Sequence, residues 1–122
     1  MNQLSNKPVY DLEERTAKFA EDIIDFLRAI KEDSVNKRII SQLVGATGSV
    51  GANYCEATES ESKKDFIHKI AITRKELKES KHWLRLLVRA NPEQKEIIEK
   101  FWKEAHELLL IFSKIDRTSR GK

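Results

Sequence analysis

Between Asp11 and Asp116, apolar residues recur every three or four positions, and three short breaks interrupt the pattern. That is the helical period, in which positions i, i+3, i+4 and i+7 share one face. The clearest run is Phe66, Ile70, Thr73, Leu77, Ser80, Leu84 and Leu87, in alternating steps of four and three. Such a heptad seam is usual where nearly antiparallel helices pack. A chain with this pattern and only four glycines and two prolines lacks the turn punctuation of a β-sandwich or barrel.

The breaks carry capping chemistry. Asp11, followed three residues later by Glu14, opens a helix bearing Phe19, Ile23, Phe26 and Ile30. Asp33 or Ser34 caps a second, with Val35, Ile39, Leu43, Ala46 and Val50 on its seam, ending near Ala57. Ser62 and Asp65 form the capping pair of the third. Asn91-Pro92 ends it, and Pro92 suits the first position of the fourth, whose seam is Ile98, Phe101, Ala105, Leu108, Phe112 and Ile115. The chain of 122 residues has room for one domain. The spacing predicts an all-α, antiparallel up-down-up-down four-helix bundle over 11–116. Residues 1–10 read as a flexible arm and 117–122 as a frayed tail.

The second helix contains Gly45, Gly48 and Gly51, interleaved with Ala46, Ser49 and Ala52. An interior glycine costs ~1 kcal/mol relative to alanine. A tight helix crossing within the core is the expected offset, with a kink or ligand groove as the alternative. The third and fourth helices carry apolar surface beyond their seams: Leu87, Trp83 and Ile72 continue the arc on the third, and Leu109, Leu110 and Ile111 add to it on the fourth. A surplus of that kind usually marks a partner interface, and burial between copies in a homo-oligomer is expected.

The formal net charge is +3, unevenly spread. Residues 1–33 carry a net −3 and residues 59–90 a net +4. On the third helix Lys63, Arg74, Lys78, Lys81, Arg85 and Arg89 fall within an arc of roughly 80°. Asp65, Glu76 and Glu79 fall on the other side. A phosphate backbone is attracted to such a stripe without regard to base sequence. No aromatic residue interleaves it, so base stacking is not indicated from the stripe alone. The bland alternative is a solvated face whose long side chains cover apolar stems.

Catalytic chemistry is not legible. Glu79-Ser80-Lys81-His82 is a single Glu-x-x-His, whereas a di-metal bundle uses one on each of two helices. His68, His82 and His106 have no cysteine partner. Asn53, Tyr54, Glu56, Lys75 and Glu76 are expected to form a structural polar network where the second and third helices meet. Cys55 is the single cysteine, which points to a reducing compartment. The N-terminus lacks the apolar core of a secretory signal. The longest apolar run, Leu108–Phe112, is far short of the ~20 residues a membrane span needs. A cytoplasmic protein without catalytic residues, metal, cofactor or membrane contact is expected.

The string Ser49-Val50-Gly51-Ala52-Asn53-Tyr54-Cys55-Glu56-Ala57, followed by Ser62-Lys63-Lys64-Asp65-Phe66-Ile67, then Lys75-Glu76 and Trp83-Leu84, resembles the family of proteins encoded in intervening sequences of bacterial 23S rRNA genes. The resemblance spans roughly residues 15 to 115. It implies a four-helix bundle that assembles as a homopentamer. It also implies a similarity of fold to the accessory protein of diversity-generating retroelements, and so to a partner that is RNA, DNA or a reverse-transcriptase-like protein. Together the residues and the resemblance point to a non-enzymatic, self-assembling bundle that presents a basic surface to a macromolecule. A purely structural scaffold without nucleic acid is the competing expectation.

Overall fold

A computed structural model describes residues 11–121; the arm expected over 1–10 lies outside the described residues. Four helices account for nearly all of them: α1 Leu12–Leu27, α2 Ser34–Thr58, α3 Lys63–Ala90 and α4 Lys95–Arg120. A single 3₁₀ turn, Pro92–Gln94, leads into α4.

Each of the first three helices starts where a short polar side chain takes up an orphan backbone N–H. Asp11 Oδ1 accepts from the Glu14 amide at 3.2 Å, Asp33 Oδ1 from Asn36 at 2.8 Å, and Ser62 Oγ from Asp65 at 3.0 Å. A cap of this kind stabilises a helix by ~1 kcal/mol. Between Asp33 and Ser34, the carboxylate is therefore the cap. At the far end of the chain α4 does not stop at Asp116. It continues to Arg120, whose Nε donates to Asp116 Oδ1 at 2.9 Å. Residues 117–120 of the expected tail are helix, and this i,i+4 pair lies across its last turn.

The helices enclose one core. α3 packs against both α2 and α4, α1 packs on α2, and α1 touches α4 more sparingly. Ile23, Leu43, Val50, Ile70, Leu77, Leu84, Leu87, Ile98, Leu108 and Phe112 are sealed from water. Burying each such side chain stabilises the fold by roughly 1.5–3 kcal/mol. The α3 seam includes Thr73 and Ser80, both fully buried. Their hydroxyls donate to the carbonyls of Lys69 (3.0 Å) and Glu76 (2.8 Å) one turn earlier, so the core accepts them without an unpaired polar group. Val35 departs from its expected seam position and is 59% exposed.

A second buried polar feature closes one end. Asn36 at the start of α2 and Asn91 at the end of α3 face each other, 2% and 3% exposed. The Asn91 amide donates to Asn36 Oδ1 at 2.8 Å and to the Leu87 carbonyl at 3.1 Å. The Asn36 amide donates to the Lys31 carbonyl at 2.9 Å and to Asn91 Oδ1 at 3.3 Å. Loop, α2 and α3 are thereby fixed in one register.

The α2 glycines do not form the expected crossing in the core. Gly45 and Gly48 are exposed, and a Cβ added at either meets nothing within 4 Å. Only Gly51 faces a neighbour: a Cβ there comes within 3.2 Å of Thr16 Oγ1 on α1. The reason is angular. Gly51 stands ~60° from Gly48 around the helix, toward α1, while Gly48 points away from the core residues Ile39, Ala46 and Val50.

Candidate nucleic-acid interface

The basic residues of α3 lie on two kinds of ground. Facing α4, Arg74 is half-buried; its Nη1 donates to Asp116 Oδ2 at 3.1 Å and its Nε to Ser113 Oγ at 3.2 Å. Asp116, with its side chain only 9% exposed, is held by Arg74 on one oxygen and Arg120 on the other. A carboxylate this enclosed needs such partners. Arg74 is thus engaged by Asp116 and Ser113 within the fold. Lys81, also half-buried, lies 2.9 Å from His106 Nδ1 and 4.4 Å from the centre of the Trp102 ring. Lys63, Lys78, Arg85 and Arg89 are exposed and join none of the ion pairs among the described residues. They are the free part of the stripe.

The stripe lacks an aromatic residue on its own helix, but α4 supplies two beside it. Trp102 and His106 stand one turn apart and stack nearly parallel, with ring centres 5.4 Å apart and planes 10° apart. Helical spacing of four puts any such pair on one face. The Trp–x–x–x–His pattern was therefore visible in the sequence. That this face abuts α3 was not. Leu84 and Val88 from α3 with Ile98 and Trp102 from α4 line a surface groove of about 460 Å³, flanked by Arg85 on one helix and Lys103 on the other.

The opposite edge of α3, facing α2, is not one polar network. Asn53 donates to the Ser49 carbonyl of its own helix at 2.9 Å. Tyr54 meets Phe112 edge-on at 5.4 Å, and its hydroxyl pKa is raised by burial and by the negative charge of Glu13. The link between the helices is Glu56 with Lys69, at 2.6 Å, rather than Lys75, which is exposed. That bond raises the Lys69 pKa. Glu76 has its pKa raised by burial and then by Glu79. The five residues do not converge because they occupy different sides of their helices.

The surplus apolar residues are largely used within the chain. Leu87 is fully buried, which agrees with its place on the α3 seam and corrects its place in an interface between copies. Trp83, Leu109 and Ile111 are half-buried against the same core, and Ile72 is half-buried. Leu110 is 56% exposed. Among the described residues the other large apolar side chains open to solvent are Ile24, Val35, Val44, Ile97 and Trp102; none of them was expected at an interface.

No group of three or more His, Cys, Asp or Glu residues among those described is placed to hold a metal ion. His68 and His82 are exposed, and His82 meets Trp83 edge-on. Cys55 is free and partly buried, 3.8 Å from Glu13 Oε2. Burial, then the Glu13 charge, raises its thiol pKa, which favours the unreactive thiol form. No helix among the described residues is long and apolar enough to cross a membrane.

Comparison with known proteins places this geometry. The sequence model of a family described as 23S rRNA-intervening sequence protein matches residues 10–114. A solved structure from Bacteroides thetaiotaomicron, of a protein with unknown function from the S23 ribosomal protein family, is similar with a TM-score of 0.75. The two chains are 28% identical, and the similarity covers 86% of this chain and 97% of that one. No curated protein matches.

Proposed function

Because the chain belongs to the 23S rRNA-intervening sequence protein family, we propose that it is a non-enzymatic, cytoplasmic, antiparallel bundle that assembles with copies of itself and offers the α3–α4 edge to the phosphate backbone of RNA. The observation that carries this is the line of free cations Lys63, Lys78, Arg85 and Arg89 along one exposed face of α3, joined across the groove by Lys103. The acidic residues of α3 nearest that line, Glu76 and Glu79, point toward other sides of the helix. A predominantly basic surface attracts a polyanion at long range, and a ring of copies multiplies that field. Self-association is supported by the family resemblance and by the exposed Leu110 and Val44. Light scattering at micromolar concentration tests it, and a mass of one chain refutes it.

Binding is tested by fluorescence anisotropy of a labelled single-stranded RNA across a salt series. Each phosphate contact contributes about −0.7 to the slope of log K against log salt. Replacing Lys78, Arg85 and Arg89 together by Gln is expected to reduce the slope by about 2. RNA binding with an unchanged slope overturns the role of the stripe. The scaffold alternative is favoured by the commitment of Arg74 to Asp116 and Ser113, which shortens the stripe. It predicts no salt-sensitive RNA binding at all.

A further inference from the structure

We propose that the groove between α3 and α4 is a subsite for one unpaired base of single-stranded RNA, stacked on Trp102; this rests on the phosphate-binding role given to α3 above. Trp102 is 36% exposed and forms part of the groove wall. It is also held still. His106 stacks on it, and Lys81 lies 4.4 Å from its ring centre while hydrogen-bonding to His106 Nδ1 at 2.9 Å. A lysine ammonium only donates. Nδ1 is therefore the acceptor in this contact. The cluster is an aromatic plate held beside the Lys81 ammonium. An indole already ordered loses little further freedom when a ligand stacks on it.

The chemistry of the groove fits a base with its flanking phosphates. Leu84, Val88 and Ile98 give an apolar floor for a flat heterocycle, and the space of about 460 Å³ falls in the range of small-molecule clefts. Arg85 and Lys103 stand on opposite walls, where the phosphates on either side of the inserted nucleotide would pass. Glu99 is the acid among the lining residues, and Lys95 lies 3.9 Å from it. A base inside a duplex has its faces covered by its neighbours, so only a strand with unstacked bases can use the plate. The stripe alone offers no such preference. The plate adds discrimination between base-bearing and baseless strands.

The experiment compares a 12-nucleotide RNA with a ribose-phosphate strand of equal length that lacks bases. In a Trp83→Phe background Trp102 is the single indole, since the chain has two tryptophans. RNA is expected to quench its fluorescence, and the baseless strand is not. Trp102→Leu is expected to weaken RNA binding roughly 5- to 150-fold, the range for loss of one stacked base. Its salt slope and its affinity for the baseless strand are expected to stay unchanged. Trp102→Phe should retain most of the affinity. Equal affinity of the unaltered chain for both strands overturns the stacking proposal and leaves the stripe standing. Failure of the unaltered chain to bind either strand overturns both. The two-strand comparison needs no variant, so it decides the question even where a substitution disturbs folding.

Discussion

Asp116→Asn removes one charge from the most enclosed ion pair in the fold and leaves the side chain almost the same shape. Asp116 accepts from Arg74 at 3.1 Å on one oxygen and from Arg120 at 2.9 Å on the other. An asparagine keeps one acceptor, and its amide meets the second guanidinium donor to donor. One charge-assisted hydrogen bond is lost and the other is weakened. Bonds to charged groups contribute about 1.5–3 kcal/mol when enclosed. Arg74 and Arg120 are 30% and 55% exposed on their side chains, so water compensates much of that. A loss of about 1–2 kcal/mol remains. At roughly 4 °C per kcal/mol for a domain near this size, Tm is expected to fall by roughly 4–8 °C in a calorimetric or circular-dichroism melt. RNA binding is expected to move the opposite way. The formal charge rises from the native +3 by one, and Arg74 is freed toward its own stripe. The salt slope is expected to steepen by up to about 0.7. An unchanged Tm refutes the clamp. A lowered Tm with an unchanged slope shows that Arg74 does not reach phosphate even when released.

Three further outcomes follow from the same geometry. Asn36→Leu leaves Asn91 Oδ1 buried without its donor and is expected to cost about 1–3 kcal/mol; Asn36→Leu with Asn91→Leu should cost less than the sum of the two single changes, which a double-mutant cycle by urea unfolding checks. Gly48→Ala is expected to raise stability by up to about 1 kcal/mol, because the added methyl meets nothing and helix propensity improves, whereas Gly51→Ala gains less, its Cβ falling 3.2 Å from Thr16 Oγ1; the reverse order in thermal melts would contradict the placement of α2. For Glu76 the sign is opposite to that of a salt-bridged carboxylate. Its pKa is raised in the fold by burial and Glu79, so ionisation favours the unfolded chain, and the penalty grows as pH rises through the ordinary glutamate value of 4.5 toward the raised one. Glu76→Gln is therefore expected to stabilise at pH 7, by no more than about 0.5 kcal/mol, with no gain at pH 3, in paired urea titrations.

Features that depend on residues within one helix turn were readable. Asp11, Asp33 and Ser62 precede their amide partners by three residues, and the seam of α3 repeats every three or four. Local spacing fixes both, whatever the helices do next. The glycines of α2 show where such spacing misleads. Their shared three-residue interval put them near one another on the helix, but not on the side that faces the core. A helical wheel supplies relative angles, and its zero is set by neighbours the sequence does not name. Leu87 shows the same limit: it belongs to the α3 seam and also begins the apolar arc beyond it, and the packing of α2 and α4 on α3 decides that it is buried.

The stripe of α3 was legible from spacing, but what each of its residues meets lies in that second category. Arg74 and Asp116 are 42 residues apart, Lys81 and His106 are 25 apart, and Asn36 and Asn91 are 55 apart. On α3 alone, six cations look equivalent. Packing α4 against them separates two kinds. Arg74 is drawn into a structural pair and Lys81 into an aromatic cluster, while Lys63, Lys78, Arg85 and Arg89 remain free. The same contact places an indole beside a stripe that has none of its own. A charged helix face binds any polyanion; a charged face with a fixed aromatic plate at its edge distinguishes a strand that has bases to stack from one that has none. The selectivity argued for the groove is thus a property of the α3–α4 junction. Disturbing the junction through Asp116 and removing the plate through Trp102 should consequently have separable effects, the first on stability and salt slope, the second on preference for bases.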